Sequence, residues 1–116
     1  MNCYNSGKYL REAIDSVYAQ TYQNWEIIFW DNASTDGSQK IASSYDARIK
    51  YFRVEINTLI GLARNMALKN AAGKYVAFLD TDDVFLPHKL ERQVNMIEAE
   101  NYGLIYGGTI IIDENG

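Results

Sequence analysis

Twice in this chain a β-rich apolar run stops abruptly on an aspartate. Trp25-Glu26-Ile27-Ile28-Phe29-Trp30 gives way to Asp31, and Tyr75-Val76-Ala77-Phe78-Leu79 gives way to Asp80, Thr81, Asp82 and Asp83. Short apolar runs of this kind read as strands buried on both faces, the pattern of a parallel sheet covered by helices. Helical patterns fill the intervals. Gly7 to Gln20 places Leu10, Ile14, Val17 and Tyr18 at helical spacing behind Asn5 or Ser6 as a cap, and Ser38 to Tyr45 turns Ile41, Ala42 and Tyr45 inward. Gly61 to Ala72 runs through Leu62, Met66 and Ala67 to Gly73, a suitable C-terminal cap. Pro87 opens a helix reaching about Asn101, with Leu90, Val94 and Ile97 on its inner face. Ile49 to Val54 is a further strand, and Leu104 to Tyr106 with Thr109 to Ile112 close the chain as one strand or two. The alternation predicts one α/β sandwich with a mostly parallel sheet, Rossmann-like in its layering.

Composition narrows the functions open to such a domain. The 116 residues suffice for one modest core, and 47% of them are hydrophobic. A net charge of -4 without a dense basic run excludes a nucleic-acid backbone as the main partner. A single nucleotide stays open, since a metal can neutralise its charge. Cys3 stands alone, so no internal disulfide framework exists, and a reducing compartment fits. No apolar run approaches transmembrane length. The expected location is the cytoplasm, with a peripheral position at the inner face of a membrane as a variant of that reading.

In a parallel sheet the carboxyl ends of the strands share one edge, and ligands collect there. Asp31 and Asp80 therefore belong to turns that could face one cleft. Asp80, Asp82 and Asp83 repel one another unless a cation sits between them, and hard divalent ions prefer oxygen ligands. One aspartate would suffice to cap the helix that follows, so metal and diphosphate binding is the stronger reading of this cluster. In the first turn Ser34 and Asp36 suit turn shaping and helix capping, whereas Asp31 is balanced between capping and ligand contact. Arg64, in an otherwise small and apolar helix, is either a solvated side chain or a guanidinium reaching for phosphate. Trp25 and Trp30 read as core and rim, and His88 as solvent-facing. Neither G-x-G-x-x-G nor a Walker-type loop occurs.

Taken in order, these segments resemble the family 2 inverting glycosyltransferases of the GT-A fold. Tyr4-Asn5-Ser6 with Tyr9 to Val17, and Gln20 to Ile28 after it, are similar to the family's opening loop and first helix. Asp31 to Ser38 resembles its nucleotide-binding turn, and Gly61-Leu62-Ala63-Arg64-Asn65 its glycine-to-arginine segment. Asp80-Thr81-Asp82-Asp83 stands where the family keeps its DXD motif. The resemblance implies transfer of a sugar from a nucleoside-diphosphate sugar, a UDP-sugar foremost, to a hydroxyl of a glycan or lipid-linked acceptor. It implies that Asp31 hydrogen-bonds the base, that Arg64 approaches base or diphosphate, and that Asp80 lies near ribose and sugar phosphate. Asp82 would be the principal ligand of Mn²⁺ or Mg²⁺, with Asp80 and Asp83 beside it.

Two departures from the family pattern shape the remaining expectations. Only Met1 to Tyr4 stand where the family has a full apolar strand in mid-sheet, so residues 1–116 read as a truncated donor-binding domain with an incomplete sheet. A buried lane of unpaired backbone groups is costly. Strand exchange, a rearranged C-terminal strand or a homodimer through strand pairing is expected to fill it. The family's general base, which lies further on, has no counterpart here. The competing expectation is therefore a catalytically silent fragment that holds nucleoside diphosphate and metal, with weak or no turnover by this chain alone.

Overall fold

The structure is a computed structural model, and it describes residues 1–113. Its elements run β1 (Asn2–Cys3), α1 (Leu10–Tyr18), β2 (Ile27–Asp31), α2 (Ser38–Ala42), β3 (Ile49–Arg53), α3 (Ile60–Leu68) and α4 (Lys89–Glu100). The strands form one parallel sheet in the order β1-β2-β3. Alternation along the strands divides the interior into two layers. On one face Cys3, Ile27, Phe29 and Ile49 pack with Leu10, Ile14 and Val17 of α1 and Ala42 of α2. On the other face Trp30 packs with Ala63 and Ala67 of α3, beside Ile28, Phe52 and Val54. An α/β/α sandwich follows, as the alternation predicts.

Within α1 the inward positions are those the periodicity marks, but the helix starts at Leu10 rather than Gly7. Asn5 does not cap it. Its backbone is left-handed (φ 51°), and its side-chain oxygen accepts from Thr35 N at 2.8 Å in the neighbouring turn. In α3 Ala67 is buried as expected, but Leu62 and Met66 are exposed and Ala63 takes the other inward position. The Trp30 indole occupies the space between sheet and helix, and only small side chains permit the close approach there. That helix ends at Leu68 with Lys69 as its cap, so Gly73 lies in the bend beyond and caps nothing. Pro87 precedes α4 rather than entering it, and Leu90, Val94 and Ile97 are half-buried.

The expected strand at Tyr75 to Leu79 does not form. β2 pairs with β3 along all five residues from Ile27 to Asp31, but with β1 only at Trp30 and Asp31. Met1 extends the β1 lane, its amino group donating to Ile28 O at 3.0 Å and its carbonyl accepting from Trp30 N at 3.0 Å, and beside it lies a cavity of about 640 Å³ whose lining includes Met1, Ile27, Ile28 and Tyr75 to Leu79. A strand needs a ladder neighbour about 4.8 Å away, and across this cavity Tyr75 to Leu79 has none. The expected strands at Leu104 to Tyr106 and Thr109 to Ile112 are also absent, and their apolar side chains are exposed.

Leu79, 7% exposed, still anchors its segment in the core. Beyond it, the chain is held by the end of α1. Phe85 N donates to Ser16 Oγ at 3.0 Å, Leu90 N donates to Gln20 Oε1 at 3.0 Å, and Gln20 Nε2 donates to Leu86 O at 2.8 Å. The acidic turn at Asp80 to Asp83 is thereby fixed at both ends. No helix among the described residues is long and apolar enough to cross a membrane.

Candidate functional site

The loops that leave β1 and β2 interlock. Asn5 N donates to Ser34 Oγ at 3.0 Å, Ser6 N to Ser38 Oγ at 3.2 Å, and Gly7 N to Asp36 Oδ2 at 2.9 Å. A Cβ at Gly7 would stand 3.1 Å from that Asp36 oxygen, which explains glycine at this contact. Ser34 and Asp36 thus do the turn-shaping work their residue types suggest. Ala33, between them and Asp31, is held left-handed at φ 68°, a conformation that strains a residue bearing a Cβ.

Asp31 is completely buried, and its carboxylate accepts three hydrogen bonds from protein groups. Oδ1 accepts from Ser34 N at 2.7 Å, while Oδ2 accepts from Arg53 Nη1 at 2.9 Å and from the Tyr51 hydroxyl. Burial, reinforced by the hydrogen bond to Asp31, pushes the Tyr51 phenol up to about 12, so it keeps its proton and donates. Asp31 is the cross-strand partner of Arg53, and Tyr51 lies two residues earlier on the same face of β3. Strand ends aligned by register would have revealed this trio. Sequence reasoning that stopped at the acidic turn missed Tyr51 and Arg53.

Beside this knot lies a recess of about 210 Å³, walled by Tyr4, Asn32, Asn57, Thr58, Ile60 and Ala63. Asn32 is 6% exposed and fully hydrogen-bonded. Its Oδ1 accepts from Thr58 N at 3.1 Å and Thr58 Oγ1 at 2.9 Å, and its Nδ2 donates to Thr58 O at 2.7 Å and to Asn57 Oδ1 at 3.4 Å. The polar wall is therefore rigid before any ligand arrives. Asn57 and Thr58 are the other residues that sequence reasoning passed over, because they sit in an irregular segment with no periodicity to mark them.

Helix α3 links the recess to the acidic turn. Ile60 and Ala63 wall the recess, and the next residue, Arg64, donates through Nη2 to Asp80 Oδ1 at 3.0 Å. The pair is open to solvent at both ends, with side chains 39% and 52% exposed. Arg64 also lies over the Phe78 ring, 5.9 Å from its centroid. Of the expected site residues, then, the fold brings Arg64 and Asp80 together. Asp82 and Asp83 are exposed on the same turn, which is closed by Asp83 N donating to Asp80 O at 3.3 Å. Among the described residues no three acidic, histidine or cysteine side chains converge on a point that could hold a metal. One or two exposed carboxylates still suit Mg²⁺ or Mn²⁺, which commonly take their remaining ligands from water and substrate phosphates.

A profile of the family described as "Glycosyl transferase family 2" matches residues 1–116. The chain belongs to glycosyl transferase family 2. It is 40% identical over 116 residues to the Escherichia coli UDP-Glc:alpha-D-GlcNAc-diphosphoundecaprenol beta-1,3-glucosyltransferase WfgD, covering 99% of this chain and 46% of that protein. It is 39% identical to the putative glycosyltransferase EpsE of Bacillus subtilis, covering 100% of this chain and 44% of that one. Among solved structures, S. aureus TarS 1-349 in complex with UDP superposes with a TM-score of 0.82 at 31% identity, over 86% of this chain and 31% of that one. The family 2 chain thus has the GT-A glycosyltransferase fold and spans less than half the length of these relatives. The α/β layering and the family expected from the motif order are borne out.

The two charged contacts differ in what they contribute to stability. Asp31→Ala leaves the Ser34 amide and the Tyr51 hydroxyl without their buried acceptor, so urea denaturation is expected to show a loss of about 1–3 kcal/mol. Arg64→Ala removes an exposed pair and is expected to cost less than about 1 kcal/mol. Equal losses from the two substitutions would contradict this assignment.

Proposed function

We propose that the chain is the donor-binding part of a metal-assisted, inverting glycosyltransferase. Its donor is a nucleoside-diphosphate sugar, a UDP-sugar foremost, and its acceptor a hydroxyl of a glycan or lipid-linked intermediate in polysaccharide-type biosynthesis. The observation that carries this reading is the continuity of α3, which walls the recess with Ile60 and Ala63 and meets the acidic turn with Arg64. A nucleoside diphosphate has the same two-part character: a flat polar base and a charged diphosphate a ribose away. The names of WfgD, which uses UDP-Glc, and of TarS, solved with UDP and with UDP-GlcNAc, support the choice of nucleotide.

In this reading the base enters the recess beside the turn that Asp31 holds. The Arg64 guanidinium swings from Asp80 to the diphosphate, an exchange of one anionic partner for another. Asp80 is left facing ribose and sugar phosphate, and Asp82 offers the main carboxylate to Mn²⁺ or Mg²⁺ with Asp80 and Asp83 alongside. When bound, the ion supplies Lewis-acid neutralisation of the charge on the departing diphosphate. The acceptor hydroxyl attacks the anomeric carbon from the opposite face and inverts it, and its proton passes to a general base within hydrogen-bond reach. None of the residues named here takes that last part. A second reading is a chain that holds nucleotide and metal without turnover. A lipid-linked acceptor would place the chain at the inner face of a membrane. Two copies pairing strands across the open lane beside β2 would complete the sheet. Light scattering should then report a dimer, and a monodisperse monomer contradicts that pairing.

Calorimetric titration tests the donor site. UDP is expected to bind more tightly with Mn²⁺ than with chelator, and Asp82→Asn to lose about 10-fold or more of the metal-dependent affinity while leaving the chelator value unchanged. Failure of UDP, GDP and dTDP alike to bind with Mn²⁺ overturns the reading. Binding without release of sugar from UDP-glucose or UDP-GlcNAc selects the second reading.

A further inference from the structure

The Asp31 carboxylate accepts three hydrogen bonds from protein groups. It is buried, while Asn32, the next residue, walls the recess. The trio of Asp31, Tyr51 and Arg53 therefore bears on whatever enters the recess through the turn that Asp31 pins.

We propose that Tyr51 and Arg53 on β3 are positioning residues for nucleotide binding, clamping the Asp31 carboxylate and with it the Asp31–Ser34 turn that presents Asn32 to the recess.

Four observations lead from one end of this chain of contacts to the other. Arg53 Nη1 and the Tyr51 hydroxyl converge on the same Asp31 oxygen, which fixes the carboxylate plane. Its other oxygen holds Ser34 N at 2.7 Å, closing the turn around left-handed Ala33. Ser34 Oγ in turn receives Asn5 N at 3.0 Å, so the neighbouring loop that carries Tyr4, the opposite wall of the recess, is pinned by the same turn. The Asp31 backbone is fixed independently, since Val54 N donates to Asp31 O at 3.0 Å and Asn32 N donates to Cys3 O at 2.8 Å. Removing the clamp thus frees the side-chain half of the turn while the strand ladder persists. A strained left-handed residue relaxes when its constraint is released, and Ala33 is the residue next to Asn32 that would do so. Arg53 and Tyr51 need not contact the ligand, and neither lines the recess.

The inference rests on the donor-site reading, and its test keeps the two apart. In the ligand-free chain, hydrogen exchange at the Ser34 amide should accelerate in Arg53→Ala while the amide of Ala13 in α1 stays protected. By titration, Arg53→Ala should weaken UDP about 10-fold with pyrophosphate and Mn²⁺ bound as in wild type, because the acidic turn is untouched. Arg53→Lys, which keeps one donor, should recover part of the loss, and Tyr51→Phe should show a smaller one. Ile49→Val, a core change on the same strand, serves as the stability control and should lower the melting temperature without changing UDP affinity. The inference is overturned if wild type binds UDP and Arg53→Ala binds it equally, or if Ile49→Val weakens UDP as much. It is also overturned if Arg53→Ala weakens UDP and pyrophosphate in parallel, or if Ser34 exchange is unchanged. A wild-type chain that binds neither UDP nor pyrophosphate overturns the donor-site reading itself, whatever the exchange data show.

Discussion

The buried Asp31 carboxylate is the contact on which the rest of the site depends. A carboxylate taken out of water must be compensated by hydrogen bonds and opposite charge, and here the compensation comes from Ser34 in the turn that follows and from Tyr51 and Arg53 on the neighbouring strand β3. The same residue ends β2 in register with the end of β3. One charge therefore ties the sheet edge to the turn. The loops around it inherit that order, because Ser34, Asp36 and Ser38 each hold a backbone amide of the Asn5–Gly7 segment.

Around this fixed centre the sheet is strongly asymmetric. On the β3 side the ladder is continuous and both faces are covered, by α1 and α2 on one and by α3 on the other. On the far side of β1 it gives out in a cavity, and the apolar segment that leads to Asp80 lies beyond it without ladder partners. The acidic turn is held instead by Leu79 in the core, by the end of α1 through Ser16 and Gln20, and by the Arg64–Asp80 pair. The recess wall is thus hydrogen-bonded throughout, whereas the acidic turn, anchored at its ends, exposes Asp80, Asp82 and Asp83 to solvent. Such a division suits a site in which base recognition is preformed and charge binding is assembled on arrival.

Much of this was legible in the sequence where a period governs. The 3.6-residue spacing of Leu10, Ile14 and Val17 and the β-rich run at Ile27 to Trp30 mark the α1 and β2 cores correctly. In α3 the spacing marks Ala67 correctly but misleads at Leu62 and Met66, because apolarity favours them whereas the bulk of Trp30 selects Ala63 beside Ala67. At Tyr75 to Leu79 the run has the composition of a strand, but strand formation is a property of pairs, and the neighbouring lane is open. In the site, the acidic turns announce themselves by composition. Tyr51, Arg53, Asn57 and Thr58 do not, since their importance arises from register and loop closure rather than from local pattern.

The central claim is that one ligand bridges the Asn32 recess and the acidic turn through α3. Amide spectra of the isotope-labelled chain with UDP, recorded first with Mg²⁺ and then with paramagnetic Mn²⁺, test it most directly. UDP with Mg²⁺ is expected to shift the amides of Asn32 and Thr58, and Mn²⁺ then to broaden those of Asp80 to Asp83 while leaving Ser43 and Ser44 sharp. Shifts without broadening at Asp80 to Asp83, or broadening centred on another part of the surface, would contradict it.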